Sequence, residues 1–446
     1  MRFLSAGLLI LFSIGCTKPD VNSVVETLPS AAARQTSPGT SPSILQWQKC
    51  LGSNAADESR AMIRTSDGGF IIAANTTGSN NGDVTTTNMG GYDAWLVKLN
   101  TNGSVEWAKT YGTSQRDWIL DVEETAGGYV FVGSSYKNTS DGDGWIAMVD
   151  FNGNLSWQNK LGGSAYDAFS KISVDANGEI VVVGDTRSTD YPDVAVKGAD
   201  DIWIAKFNSD GHLLYSKAYG GSTKDIGHSI LTEGANYVIA GISASTDGDL
   251  SGILKTGGDD IWMFQIEATT GALIQGSQRI YGGSAEESYP KLFRNPGSAG
   301  GYFLAASTLS NDGNISGNKG SRDGWVARLD GSLNIIGTGK CFGGTNDDAF
   351  RAGYISENEM VLTGFSYSKT GDLASNKGSS DVWILKMDHN LNKQNSSSFG
   401  GRGLEIGWGI APAGEGYMIA GRTDANNGDV TGFKGVIDVW LLNIKY

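Results

Sequence analysis

The chain has 446 residues, among them 64 Gly, 8 Pro and three His, and its formal net charge is −14. Binding to nucleic-acid phosphates depends on concentrated basic charge, and no stripe of Lys and Arg occurs in the sequence, so we expect no nucleic-acid partner. The chain is long for one ordinary domain, which makes an internal repeat the first property to test.

The first residues have the pattern of an export signal. Arg2 precedes an apolar run over residues 3–14, which is too short to span a membrane and is typical of a secretory signal peptide. The residues that follow resemble the lipobox of bacterial lipoproteins, although a Ser stands where Leu is more common. They are Phe12, Ser13, Ile14, Gly15 and Cys16. The resemblance implies that residues 1–15 are removed and that Cys16 becomes the lipidated N-terminus; the alternative is a plain signal peptide cut elsewhere.

Residues 16–43 are rich in Ser, Thr, Pro and Ala. A segment of this composition cannot bury enough apolar surface to offset the entropy lost on ordering. We therefore predict a flexible tether between the lipid anchor and the remainder of the chain.

From residue 44 to residue 446 the sequence repeats a unit of four apolar segments separated by turn residues, with no helical period. The third segment of each unit begins with Asp, any residue, and Trp. These pairs are Asp93 and Trp95, Asp143 and Trp145, Asp201 and Trp203, Asp260 and Trp262, Asp323 and Trp325, Asp381 and Trp383, and Asp438 and Trp440. Seven copies is a number at which a β-propeller commonly closes. We predict an all-β, seven-bladed propeller of four-stranded antiparallel blades.

The two ends of the repeated region complement each other. The last unit ends after its third segment at Tyr446, and a spare fourth segment stands in front of the first unit, over residues 44–51. We expect this N-terminal segment to pair within the last blade and close the ring, which removes two free sheet edges.

Two sets of residues recur in every unit, and we interpret both as structural. The Asp-x-Trp pairs could present aromatic platforms and carboxylates to sugars. Because all seven units carry them, we favour Trp packing between blades and Asp binding to backbone N–H groups. A second acidic residue opens the first segment of each unit, as a structural cap. These residues are Asp57, Asp117, Asp167, Asp225, Glu287, Asp348 and Glu405.

The loops between the second and third segments contain Asp, Asn and Gly. Their carboxylates are hard ligands of the kind that Ca²⁺ prefers, but the spacing of an EF-hand is absent and the same residues also form turns. Calcium is thus the one cofactor that the sequence suggests, with these candidate ligands: Asp247, Asp249, Asp312, Asp372 and Asp429.

Aromatic residues in or near the links between units differ from one unit to the next. Variation at otherwise repeated positions indicates a ligand surface; packing in the central channel or between blades is the alternative. The candidate ligand-binding residues are Trp118, Tyr166, Tyr191, Tyr289, Phe350 and Trp408.

Catalytic signatures are weak. We find no Ser/His/Asp order, no metal-type His pair and no Cys/His signature. The carboxylate pair Asp347 and Asp348 could serve a glycosidase or lyase, yet adjacent acids in loops are common. Cys50 and Cys341 belong to different blades in this alignment, so we predict that they form no disulfide.

The repeated elements Gly-Gly, Gly-Gly-Tyr and Asp-x-Trp over residues 44–446 resemble those of the seven-bladed β-propeller repeat lipoproteins of Bacteroidota and related bacteria. The resemblance implies no particular enzyme.

We expect a monomeric lipoprotein, anchored in the outer membrane and facing either the surface or the periplasm. The favoured function is non-enzymatic binding of an extracellular glycan or other polymer through the loop face of the propeller. A periplasmic scaffold for proteins of envelope assembly and a polysaccharide lyase or hydrolase are the alternatives.

Overall fold

A computed structural model describes residues 43–192, 194–297, 300–373 and 375–446, which form 28 β-strands. Cys16, the signal sequence and residues 16–42 of the predicted tether lie outside the described residues. The strands are β1 (Ile44–Leu51), β2 (Asp57–Arg64), β3 (Phe70–Thr76), β4 (Asp93–Leu99), β5 (Val105–Tyr111), β6 (Asp117–Thr125), β7 (Gly128–Tyr136), β8 (Gly142–Val149), β9 (Leu155–Leu161), β10 (Asp167–Val174), β11 (Ile180–Thr186), β12 (Asp201–Phe207), β13 (Leu213–Tyr219), β14 (Asp225–Glu233), β15 (Asn236–Ser243), β16 (Asp260–Glu267), β17 (Arg279–Tyr281), β18 (Glu287–Arg294), β19 (Tyr302–Thr308), β20 (Asp323–Leu329), β21 (Lys340–Phe342), β22 (Asp348–Ile355), β23 (Met360–Ser366), β24 (Asp381–Met387), β25 (Lys393–Phe399), β26 (Ile406–Ala413), β27 (Gly416–Thr423) and β28 (Asp438–Lys445).

The strands form seven antiparallel sheets of four strands each. Blades 1 to 6 each contain four consecutive strands, from β2–β5 in blade 1 to β22–β25 in blade 6, and blade 7 consists of β26, β27, β28 and β1. The predicted seven-bladed propeller is therefore confirmed. Among the described residues, the one helical segment is a single 3-10 turn at Gly248–Leu250. No helix in that part of the chain is long and apolar enough to cross a membrane.

The N-terminal strand closes the ring as the sequence predicts. Strand β1 pairs with β28 in antiparallel register, with Cys50 opposite Trp440 and Leu51 opposite Val439. The indole Nε1 of Trp440 donates a hydrogen bond of 2.7 Å to Oε1 of Gln48. The first and last strands thus share one sheet, in which β28 lies between β27 and β1 and β1 takes the outermost position. Cys50 and Cys341 are both buried and unbridged, and burial raises the pKa of each thiol to about 12.

Adjacent blades pack through large side chains. The Trp of every Asp-x-Trp pair is at most 2% exposed, and these seven indoles are the largest fully buried side chains in the described residues. On the outermost strands, an aromatic residue covers the hairpin of the following blade. Trp157 packs on Gly211, whose φ is +82°, and a Cβ there would lie 2.7 Å from the indole. Only Gly meets both the turn and this close contact.

Candidate functional site

Every innermost strand carries a β-bulge at the same height. In six blades one residue is left unpaired three positions after the acidic residue of its cap, and in blade 5 the irregularity spans Tyr289 and Pro290. A bulge re-aims a side chain out of the regular alternation of the strand, and here the free edge of the strand faces the central channel. The bulge residues of the other six blades are Arg60, Leu120, Ser170, His228, Arg351 and Trp408.

Bulge residues and their neighbours form a continuous line of alternating aromatic and cationic side chains, which we call the arc. Its members, from blade 2 through blades 1, 7 and 6 to blade 5, are Trp118, Arg60, Trp408, Arg351 and Tyr289. The guanidinium carbon of Arg60 lies 5.1 Å from the Trp118 ring and 5.2 Å from the Trp408 ring. That of Arg351 lies 5.6 Å from Trp408 and 4.1 Å from Tyr289. Five consecutive blades therefore contribute to one surface.

The arc continues at both ends. Tyr92 stacks on Trp118 at a centroid distance of 4.5 Å, and His228 lies 5.4 Å from Tyr289. Burial lowers the pKa of His228 to about 3, and the nearby charges of Lys291 and Arg351 act in the same direction. This imidazole is therefore neutral at physiological pH, so the positive charge of the arc comes from its two arginines.

Several donors of the arc have no acceptor within the described residues. They are the indole Nε1 of Trp408 and the Nε atoms of Arg60 and Arg351, all of them buried. Arg60 forms an ion pair with Glu58 at 2.8 Å, and Glu58 also binds Arg422 at 3.1 Å. Burial lowers the pKa of Arg60 and brings that of Arg351 to about 10. Buried donors are normally paired, so these N–H groups are suited to donate hydrogen bonds to a ligand from outside the chain.

The arc borders a cavity of about 470 Å³ along the propeller axis, whose lining comes from the innermost strands of all seven blades. This volume falls within the range of about 300–1,000 Å³ that is typical of small-ligand sites. The strand position directly after the bulge is a lysine in blades 3 and 5. Lys171 of blade 3 forms an ion pair of 2.7 Å with Asp121, and Lys291 is the corresponding residue of blade 5. Burial raises the pKa of Glu123 to about 7 and lowers that of Lys291 to about 8.

The structure places the six predicted ligand-binding aromatics in three different surroundings. Trp118, Tyr289 and Trp408 belong to the arc. Phe350 is 1% exposed and stacks on Trp383 at a centroid distance of 4.6 Å, as in the packing alternative, and its neighbour Arg351 takes the place on the channel. The remaining two lie elsewhere on blade 3: Tyr166 contacts Tyr136 and Arg187, and Tyr191 packs edge-on against Trp203.

The carboxylates of the candidate calcium loops have partners within the protein. Asp249 binds Lys197 of the preceding blade at 2.6 Å, Asp372 binds Lys319 at 2.7 Å, and Asp429 binds Lys377. Asp247 and Asp312 accept backbone N–H groups of Ser222 and Ser284 at 2.7 and 2.6 Å. Across the described ranges, no group of three or more His, Cys, Asp or Glu side chains is arranged to hold a metal ion. Calcium binding at these loops stays a prediction.

The recurring acids are buried and bind the backbone. At the junction between blades 1 and 2, Oδ2 of Asp93 accepts the N–H of Met89 at 2.6 Å, and Oδ2 of Asp117 accepts that of Thr113 at 2.6 Å. The two carboxylates approach each other beside Gly112, where a Cβ would lie 2.5 Å from Asp93 and 3.0 Å from Asp117. Equivalent pairs of acids flank a Gly at each of the other six junctions between blades. Asp348 belongs to this set and is fully buried.

Sequence reasoning missed Arg60 and Arg351. Each lies three residues after the cap acid, and the same position holds His228 and Trp408 in other blades. In the aligned innermost strands the first position is always acidic, whereas the position three residues later ranges from small to bulky or charged. That variation was the available signal.

No protein-family model matches this sequence, and a comparison with curated proteins finds no similar one. Solved structures match in fold. The hydrazine synthase of Kuenenia stuttgartiensis is 11% identical with a TM-score of 0.49, over 83% of this chain and 94% of that chain. The Pan2 WD40 domain of Neurospora crassa is 12% identical with a TM-score of 0.47, over 88% and 95%. A protein of unknown function from Dyadobacter fermentans is 8% identical with a TM-score of 0.46, over 91% and 100%. At these identities the similarity concerns the fold alone.

Proposed function

We propose that the protein is a cell-envelope lipoprotein that binds an extracellular glycan, without turnover, through the arc at the mouth of its central channel. The observation that carries this proposal is the alternation of aromatic and arginine side chains supplied by five consecutive blades. Aromatic rings pack against the apolar faces of sugar rings, and the unpaired N–H groups beside them suit sugar hydroxyls.

The position of the arc supports binding at the loop face. Its residues lie within the first four positions of the innermost strands, next to the loops that join each blade to the next. Tyr289 is 42% exposed, and Trp118 and Trp408 are half-buried, so ring surface is available there. Function sites on propellers depend on such grafted side chains and not on the repeated framework.

Lipid attachment at Cys16 and location in the outer membrane belong to the same proposal. They are supported by the lipobox-like segment and by the Ser/Thr/Pro-rich residues that follow it. A tether of that kind would let the propeller reach polymers away from the membrane surface.

The test is a glycan array probed with the full-length protein in detergent. We expect a defined set of glycans to bind, and Trp408→Ala to abolish that binding. Trp157→Ala, on an outermost strand far from the channel, is the matched control and should bind as the wild type does. Unchanged binding by Trp408→Ala would contradict the site. Binding of no glycan at all would contradict the function and direct attention to envelope proteins as partners.

A further inference from the structure

The side chains that line the channel have a net positive charge, opposite in sign to the net charge of the whole chain. The chain as a whole has a net charge of −14, yet five basic side chains and two acidic ones line the cavity. The basic residues are Arg60, Arg64, Lys171, Lys291 and Arg351, and the acidic ones are Asp121 and Glu123. Low-dielectric walls strengthen the field of such a concentration, so the channel attracts anions although the outer surface repels them.

Arg351 is a cation of this lining without a compensating carboxylate. No carboxylate in the described part of the chain lies within ion-pair distance of it, and its Nη1 donates only to the carbonyl of the adjacent Phe350, at 3.2 Å. The rings of Tyr289, Phe365 and Trp408 surround its guanidinium. Arg322 is close enough to lower the pKa of Arg351 further. A guanidinium that has no carboxylate partner and borders a cavity forms a site for an external anion.

Lys291 repeats this feature deeper in the channel. Lys171 is compensated by Asp121 at 2.7 Å, but Lys291 has neither an ion pair nor a hydrogen bond to any side chain that the structure describes. Lys171 is one of the groups that depress the pKa of Lys291. Arg351 and Lys291 are thus two unpaired cations in succession, a guanidinium at the level of the bulges and an ammonium one position further along its own strand.

We infer that the glycan is acidic, and that the carboxylate or sulfate group of one sugar binds Arg351 while its ring lies against Trp408 and a second anionic group reaches Lys291. The inference rests on the proposed glycan-binding function and names the chemical class of the ligand. A guanidinium fork matches the geometry of carboxylate and sulfate oxygens, and flanking aromatic rings accept the apolar face of a sugar.

Isothermal titration of the full-length protein with paired saccharides tests the inference. One pair is oligogalacturonate and its methyl ester, which differ in charge on one backbone; the other is sulfated dextran and neutral dextran. We expect at least one charged member to bind about tenfold or more tightly than its neutral partner, and less tightly at high salt. The pair that discriminates identifies carboxylate or sulfate as the anion.

Variants assign the effect to residues. Arg351→Met and Lys291→Met should each weaken binding of the charged saccharide by about tenfold, whereas Lys160→Met, on an outermost strand, should not. Arg351→Lys keeps the charge without the fork and should be intermediate, which guards against a folding defect in Arg351→Met. Equal affinity for charged and neutral members would overturn the acidic ligand and leave glycan binding intact. Failure to bind any saccharide, with polyglutamate bound instead, would overturn both.

Discussion

The guanidinium carbon of Arg351 lies 4.1 Å from the centroid of the Tyr289 ring, and Tyr289 itself has a φ of +53°. A bulky residue with positive φ is an outlier that costs about 1–3 kcal/mol and persists only where surrounding structure holds it. Here the strained backbone holds a 42% exposed ring under an arginine at the channel mouth. Strain of this kind is typical of a binding site.

The strain predicts a separation between stability and binding at Tyr289. Asn adopts positive φ more readily than Tyr, so Tyr289→Asn should leave the melting temperature unchanged or raise it while glycan affinity falls. Differential scanning calorimetry and titration on the same preparation measure the two effects. A melting temperature several degrees lower than that of the wild type would instead make the ring a packing element.

Ring closure predicts a large loss of stability when β1 is removed. Deleting residues 44–51 exposes the edge of β28 and removes the acceptor of the Trp440 indole, Gln48. The deletion variant should unfold at a much lower urea concentration than the full chain. Gln48→Ala should lose about 1 kcal/mol, and Gln46→Ala, at an exposed position of the same strand, should lose almost nothing. An unchanged transition for the deletion would contradict closure.

The paired acids predict that stability falls as pH rises from about 4 to about 7. Burial raises the pKa of several of these carboxyls above their ordinary values, to about 6 for Asp93, Asp201, Asp323 and Asp438 and to about 7 for Glu287 and Glu405. A pKa raised in the folded state adds stability that is complete below the unfolded pKa of about 4 and is lost as pH passes the folded value. The melting temperature should therefore be higher at pH 5 than at pH 8.

Asp93→Asn tests the origin of this pH dependence. Oδ1 of Asp93 has no donor among the residues that the structure describes, and the carboxylate of Asp117 lies across Gly112. An amide at this position donates to Asp117 and removes one like-charge contact, so the variant should be more stable than the wild type at pH 8 and show a shallower pH dependence. A flat or rising melting temperature between pH 5 and pH 8 in the wild type would contradict this explanation.

Lipidation at Cys16 predicts covalent incorporation of fatty acid. A bacterium fed labelled palmitate should label the wild-type protein, and Cys16→Ala should lose both the label and the membrane-bound fraction. Cys50→Ala and Cys341→Ala are matched controls because both thiols are buried in the propeller, and each should stay labelled. Label on Cys16→Ala would indicate a different modification. Protease treatment of intact cells would then determine which side of the outer membrane the propeller faces.

The propeller architecture could be predicted because the Asp-x-Trp pairs and the turn residues recur in seven units. Ring closure by β1 could be predicted because the last unit has no fourth segment and a spare fourth segment precedes the first unit. The site followed only in part. Phe350 was predicted to contact ligand, and it is buried, whereas Arg351 beside it faces the channel. A bulge adds one residue to a strand and so changes which side chain points inward, and the hydrophobic period of a short strand does not reveal that insertion. The cation at Lys291 was missed for the same reason.

The most direct test of glycan binding in the central channel is a crystal structure of the full-length protein with its tightest saccharide ligand. We expect a sugar ring against Trp408 and its charged group within about 3 Å of the Arg351 guanidinium, inside the central channel. A saccharide bound on the outermost strands or between two blades, with the arc unchanged, would contradict it.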